Sequence, residues 1–96
     1  MDDKKQAYQE KMEAQLKEWN ARIQQLKAKL DNMKADSKIS YQEKLDSLLK
    51  KRSSYKAKLE ALKEAGADNW KDIKTGLDHA ADGLRSAINN IKNILK

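Results

Sequence analysis

Met12, Leu16, Trp19, Ile23, Leu26, Leu30 and Met33 follow one another at alternating steps of four and three, with polar residues filling most of the intervals. Placing Leu16, Ile23 and Leu30 at heptad position a and Met12, Trp19, Leu26 and Met33 at d draws one apolar stripe along a helix, the pattern of a coiled-coil seam. The repeat falters after Met33. It resumes with Tyr41 at d, Leu45 at a, Leu48 at d, Tyr55 at d, Leu59 at a and Leu62 at d, so the phase has slipped by one residue.

An intact helix absorbs such a slip by local unwinding; a hairpin turn is the rival explanation. For the hairpin, Asp36, Ser37 and Ser40 are cap formers, and Ser40-Tyr41-Gln42-Glu43 matches a capping box. Against it, residues 34–42 hold neither the Gly nor the Asn that a left-handed turn usually wants. We therefore expect a long coiled-coil helix over residues 1–65, on the order of 90 Å if unbroken at 1.5 Å per residue. The alternative is a monomeric three-helix bundle of residues 4–35, 40–64 and 69–95, with a turn near residues 36–40.

Ala65-Gly66-Ala67-Asp68-Asn69 is a clearer boundary, with Gly66 suited to end one helix and Asp68 or Asn69 to cap the next. Beyond it Trp70, Ile73, Leu77, Ala80, Leu84, Ala87, Ile91 and Ile94 keep a/d spacing, and Ala81, Ile88 and Leu95 widen the face. Residues 66–96 thus predict an amphipathic helix that packs back on the long one, giving an all-α, elongated helical bundle. Asp68, Asp72, Asp78 and Asp82 lie toward its start while Lys92 and Lys96 close it, in keeping with the helix dipole. Gly76, Ala80, Gly83 and Ala87 form a narrow edge along which another helix can approach closely.

Composition agrees with thin helices. The 96 residues are 39% hydrophobic and 38% charged, too balanced for a thick globular core, and contain no Pro, Phe or Cys. The net charge of +6 sits on the first part: residues 1–65 carry 16 basic and 11 acidic side chains, residues 66–96 carry 5 and 4. Interspersed signs make a poor continuous phosphate track. No apolar leader and no bilayer-length apolar stretch is present, so the expected location is cytoplasmic.

The chemistry on offer is sparse. His79 has no second His and no Cys beside it, so a metal site lacks its usual ligands, although Asp72, Asp78 and Asp82 are near in sequence. Lys50-Lys51-Arg52 with Lys56 and Lys58 is the densest basic cluster, and Tyr55 inside it belongs to the seam. Arg52 itself falls at an a position, where it either fixes register and partner number or snorkels to the rim. Trp19 and Trp70 read as packing anchors. Serines 37, 40, 47, 53, 54 and 86 have no histidine partner at a suggestive spacing, and Glu60 and Glu64 sit on a solvated face, so no enzyme, cofactor or small-molecule substrate is expected.

The segments Gln9 to Met12, Gln15 to Ala21, Tyr41-Gln42, Ala57 to Gly66 and Trp70 to Asp72 resemble a family of small bacterial coiled-coil proteins labelled stress-response or uncharacterised. The resemblance runs over roughly residues 6 to 85. It implies a cytoplasmic, non-enzymatic helical protein and carries no functional residues with it.

The leading expectation is a structural or interaction protein that self-associates, as a dimer, through its seams, because a solitary amphipathic helix leaves a large apolar surface in water. A second is binding to an anionic membrane surface through the C-terminal helix. Weak, nonspecific nucleic-acid contact ranks below both.

Overall fold

The structure is a computed structural model and describes residues 3–94, the side chain of Ile94 excepted; Leu95 and Lys96 lie outside the described residues. Three helices make up the chain: α1 (Asp3–Asp31), α2 (Ala35–Glu64) and α3 (Trp70–Ile94). They form an all-α bundle measuring 53 × 18 × 17 Å.

The expected continuous helix over residues 1–65 is interrupted, and the chain folds back at residues 32–34, ahead of the predicted turn at 36–40. The last turn of α1 tightens, with Asn32 N–H donating to the Lys29 carbonyl (3.2 Å) and Met33 N–H to that of Leu30 (3.0 Å). Lys34 is then extended (φ −68°, ψ 151°) and its carbonyl accepts from Lys38 N–H at 2.9 Å, opening α2. No described non-glycine residue has a positive φ. The lack of Gly and Asn over 34–42 was therefore no obstacle to a turn. Asp36, Ser37 and Ser40 lie inside α2, so the capping box at Ser40 does not start a helix.

The second boundary falls where expected, by a different device. Ala65 is extended (φ −70°, ψ 143°), and Asn69 and Trp70 N–H groups both donate to the Gly66 carbonyl, at 3.1 and 3.2 Å. Gly66 is not left-handed, and a Cβ built on it meets nothing within 4 Å. Its want of a side chain is not what makes the turn.

The three apolar faces close on a single core. Met12, Trp19, Ile23, Leu26 and Leu30 of α1, Leu45, Leu48, Tyr55, Leu59 and Leu62 of α2, and Trp70, Leu77, Ala81, Leu84, Ile88 and Ile91 of α3 are buried together. Leu16, Met33, Tyr41, Ile73, Ala80 and Ala87 pack around them, half-buried. Contacts such as Met12 with Tyr55, Lys58 with Gly76, and Tyr8 with Trp70 set α2 antiparallel to both neighbours and α1 parallel to α3.

Candidate functional site

The residues assigned to an association seam all lie on the inner side of this one chain, where they meet each other. Trp19 and Tyr55 make an edge-to-face pair, ring centroids 5.2 Å apart at 77°, and Arg85 lies 6.0 Å over the Trp19 ring. The Tyr55 hydroxyl donates to the Met12 carbonyl at 2.8 Å, with Met12 Sδ at 3.1 Å. Burial pushes the Tyr55 pKa up to about 12; the nearby charge of Asp78 adds to this and that of Arg85 opposes it. Trp70 closes one end of the core against Tyr8, 6.2 Å away.

Arg52 is half-buried and its Nη1 donates to Asn20 Oδ1 at 3.3 Å. Of its two readings, the geometry is that of the rim: a stem along the core edge and a head group on a neighbouring side chain. The basic cluster around it divides. Arg52 and Lys56 face α1, Lys58 lies across Gly76 of α3, and Lys50 and Lys51 are exposed. The small-residue edge on α3 draws no helix backbone close: a Cβ on Gly83 meets nothing within 4 Å, and one on Gly76 meets only Lys58 Cε at 3.7 Å.

Two tethers between helices escaped the heptad pattern. Tyr8, one position ahead of an a site, donates its hydroxyl proton to Asp78 Oδ1, with the Lys74 carbonyl oxygen 3.3 Å away; Lys74 Nζ donates to Asp78 Oδ2 at 2.9 Å and lies 5.0 Å over the Tyr8 ring. Burial raises the Tyr8 pKa, and the hydrogen bond to Asp78 raises it further. Burial acts to raise the Asp78 pKa too, but the hydrogen bonds from Tyr8 and Lys74 outweigh it and hold the carboxyl below its ordinary value. The second tether is Lys5, whose Nζ donates to the Ala65 carbonyl at 2.6 Å and reaches that of Lys63 at 3.3 Å. It caps the C-terminal end of α2, where orphan carbonyls and the dipole favour a cation. Lys63 in turn bridges to Glu13 of α1 at 3.2 Å, a contact that lowers the Glu13 pKa and raises that of Lys63.

Two open grooves run between helices. One of about 410 Å³ lies between α1 and α3, floored by Leu26 and Ile88 and edged by Arg22, Lys29 and Lys92; the other, of about 310 Å³, lies between α1 and α2 beside Leu16, Asn20 and Lys56. His79 is exposed, and among the described residues no group of three or more His, Cys, Asp or Glu side chains is placed to hold a metal ion. Ile39 is the large hydrophobic left outside, 66% exposed beside Ala35, Lys38, Gln42 and Glu43 near the α1–α2 turn. No described helix is long and apolar enough to cross a membrane. Comparison of the chain with protein-family models, curated proteins and solved structures gave no match.

Proposed function

We propose that the chain is a non-enzymatic helical interaction module whose seams build its own core and whose outer faces meet its partners. One observation carries this reading: the apolar residues of all three helices are consumed in a single intramolecular core, with Ile39 the large hydrophobic left exposed among the described residues. Tyr8 with Asp78, Lys74 over the Tyr8 ring, Lys5 and Tyr55 each tie one helix to another. A cytoplasmic, stress-related setting is suggested by the resemblance of its segments to small bacterial coiled-coil proteins and by nothing in the geometry.

Self-association belongs to this proposal through the Ile39 end of the bundle, because an exposed isoleucine in a shallow apolar patch is the surface two copies would share. The seams themselves are occupied. Contact of the α3 apolar face with lipid headgroups would first require α3 to leave α1 and α2.

Sedimentation equilibrium over a wide concentration range, run on the parent chain and on Ile39→Gln, tests the reading. A mass of one chain, or a dimer that Ile39→Gln dissociates without loss of helicity, supports it. A dimer untouched by Ile39→Gln, with a melting temperature that rises with concentration, would mean that the seams pair between chains and would overturn it.

A further inference from the structure

Residues 40–60 of α2 contain a second heptad repeat, along the flank of the apolar seam that borders α3. Ser40-Tyr41-Gln42-Glu43-Lys44, Ser47-Leu48-Leu49-Lys50-Lys51 and Ser54-Tyr55-Lys56-Ala57-Lys58 each place a serine four residues before a lysine, and the three units are seven residues apart. Serine and lysine one helical turn apart share a face. Lys58 Nζ donates to Ser54 Oγ at 3.3 Å. Successive units recur about every 10.5 Å, so the ladder of three lysines spans about 21 Å of the bundle.

The neighbouring helix leaves this ladder open. The stem of Lys58 lies against Gly76, its Cε 3.7 Å from a Cβ built there, while a Cβ on Gly83, seven residues further along α3, meets nothing within 4 Å. Neither glycine offers a side chain to cover the ladder or a charge to neutralise it. Ion pairs hold Arg22, Lys63, Lys74 and Arg85, whereas Lys44, Lys51 and Lys58 hold no carboxylate among the described residues. Of the acids of α3, Asp78 is engaged by Tyr8 and Lys74 and Asp82 by Arg85, while Asp72, one turn before Gly76 on the same face, stands at the Lys58 end of the row.

We infer that this α2–α3 face binds the phosphodiester backbone of duplex nucleic acid, without reading its sequence. Ammonium and hydroxyl donors are the groups that contact phosphate oxygens, and no aromatic side chain stands on the ladder to stack on a base. The same face lacks an apolar wedge, which separates a charged polymer from a bilayer into which a helix would sink. A straight row suits a duplex, which presents one phosphate charge per about 1.7 Å of its axis. The inference rests on the proposed interaction module, since it needs this flank of α2 and α3 uncovered by a second copy.

The test is fluorescence anisotropy of a labelled duplex of about 25 base pairs, titrated with the full chain at salt from about 20 to 200 mM. Three neutralised phosphates give a slope of log affinity on log salt near −3. The triple variant Lys44→Gln, Lys51→Gln, Lys58→Gln is expected to bind at least about tenfold more weakly at low salt and to flatten that slope, with its helicity retained because Lys44 and Lys51 are exposed and Gln keeps most of the half-buried stem of Lys58. A control that removes equal charge from α1, Lys17→Gln, Lys27→Gln, Lys29→Gln, is expected to stay within about twofold of the parent. Absence of duplex binding by the parent at the lowest salt, or equal losses in the two triples, overturns the inference. So does tighter binding to vesicles containing phosphatidylserine at matched phosphate concentration. Each of these failures leaves the mass measurement above, and the reading it tests, unaffected.

Discussion

Replacing Tyr55 by Phe removes one oxygen from the middle of the bundle and leaves the ring in place. Tyr55 is 0% exposed, and its hydroxyl is bound to the Met12 carbonyl of α1 at 2.8 Å. As a mid-helix carbonyl, Met12 O also accepts from its own helix, so the substitution orphans no buried acceptor and costs about 1 kcal/mol, the net value of one hydrogen bond. In a chain of this length that is a fall in Tm of about 4–8 °C. Tyr55→Ala also empties the ring's volume and its edge-to-face contact with Trp19, for about 3–5 kcal/mol in all. Urea unfolding followed by far-UV circular dichroism separates the two. A loss below about 0.3 kcal/mol in Tyr55→Phe would mean that the hydroxyl ties nothing, and one above about 2.5 kcal/mol that the carbonyl is left unsatisfied; either refutes the reasoning.

The pH dependence of the same pair is a second check. The fold prefers the neutral phenol, so between the unfolded value of 10.0 and the folded value of about 12 the native chain keeps a proton that the unfolded chain releases. The contribution of Tyr55 is therefore intact below pH 10 and is lost as pH rises toward 12. Tyr55→Phe has no such proton. Its deficit relative to the parent should shrink above pH 10, and a deficit constant with pH would show that Tyr55 is not held neutral by burial.

Three further outcomes are expected. Gly66→Ala should stabilise the chain by about 0.4–1 kcal/mol in chemical denaturation, because its backbone is not left-handed and the added methyl meets open space; destabilisation would show that the turn needs glycine after all. Asp78→Asn should flatten the acid limb of the stability curve. The carboxyl titrates below its ordinary value in the fold, so its contribution is present above the unfolded value of about 4 and is lost as pH falls through the folded one; an unchanged acid limb would remove the Tyr8–Asp78–Lys74 tether. Lys5→Met keeps the aliphatic stem but removes the cation from the Ala65 and Lys63 carbonyls, and should cost about 0.5–1 kcal/mol in thermal melts, with the loss concentrated in hydrogen-exchange protection at the end of α2.

The core was legible in the sequence because a and d positions are set by helix geometry alone: the seam residues from Met12 to Leu62 and from Trp70 to Ile91 are buried or half-buried, whichever way the chain turns between them. The turn was not legible, since it uses no residue whose backbone only Gly or Asn adopts. Its one trace is the phase slip between Met33 and Tyr41, which unwinding explains equally well. What decides between the two is a comparison that spans the whole chain. Folding back at residues 32–34 closes a loop of three residues at small entropic cost, whereas pairing two unbroken helices loses the translational and rotational freedom of a second molecule, about 4–15 kcal/mol. Lys5 falls at a d position one heptad before Met12 and looks like a defect in the seam until the end of α2 arrives beside it. Tyr8 likewise acquires its role from Asp78, 70 residues away.

The same reasoning explains why the outer surface is the harder half to read. Hydrophobic positions declare their side of a helix, but a polar position is neutral on the question until its neighbour is known. Lys44, Lys51 and Lys58 belong to a solvated face in any isolated helix. Only the fold shows that Lys58 lies against Gly76 and that Lys44, Lys51 and Lys58 meet none of the carboxylates that engage Lys63 and Arg85 elsewhere in the molecule. Moving α3 by one turn would bring Asp72 level with Lys58 and close that end of the row as an anion surface. The charge pattern of α2 thus takes its meaning from the register of α3, and that register is set by the length of the Ala65 to Asn69 turn and by Trp70 seated against Tyr8.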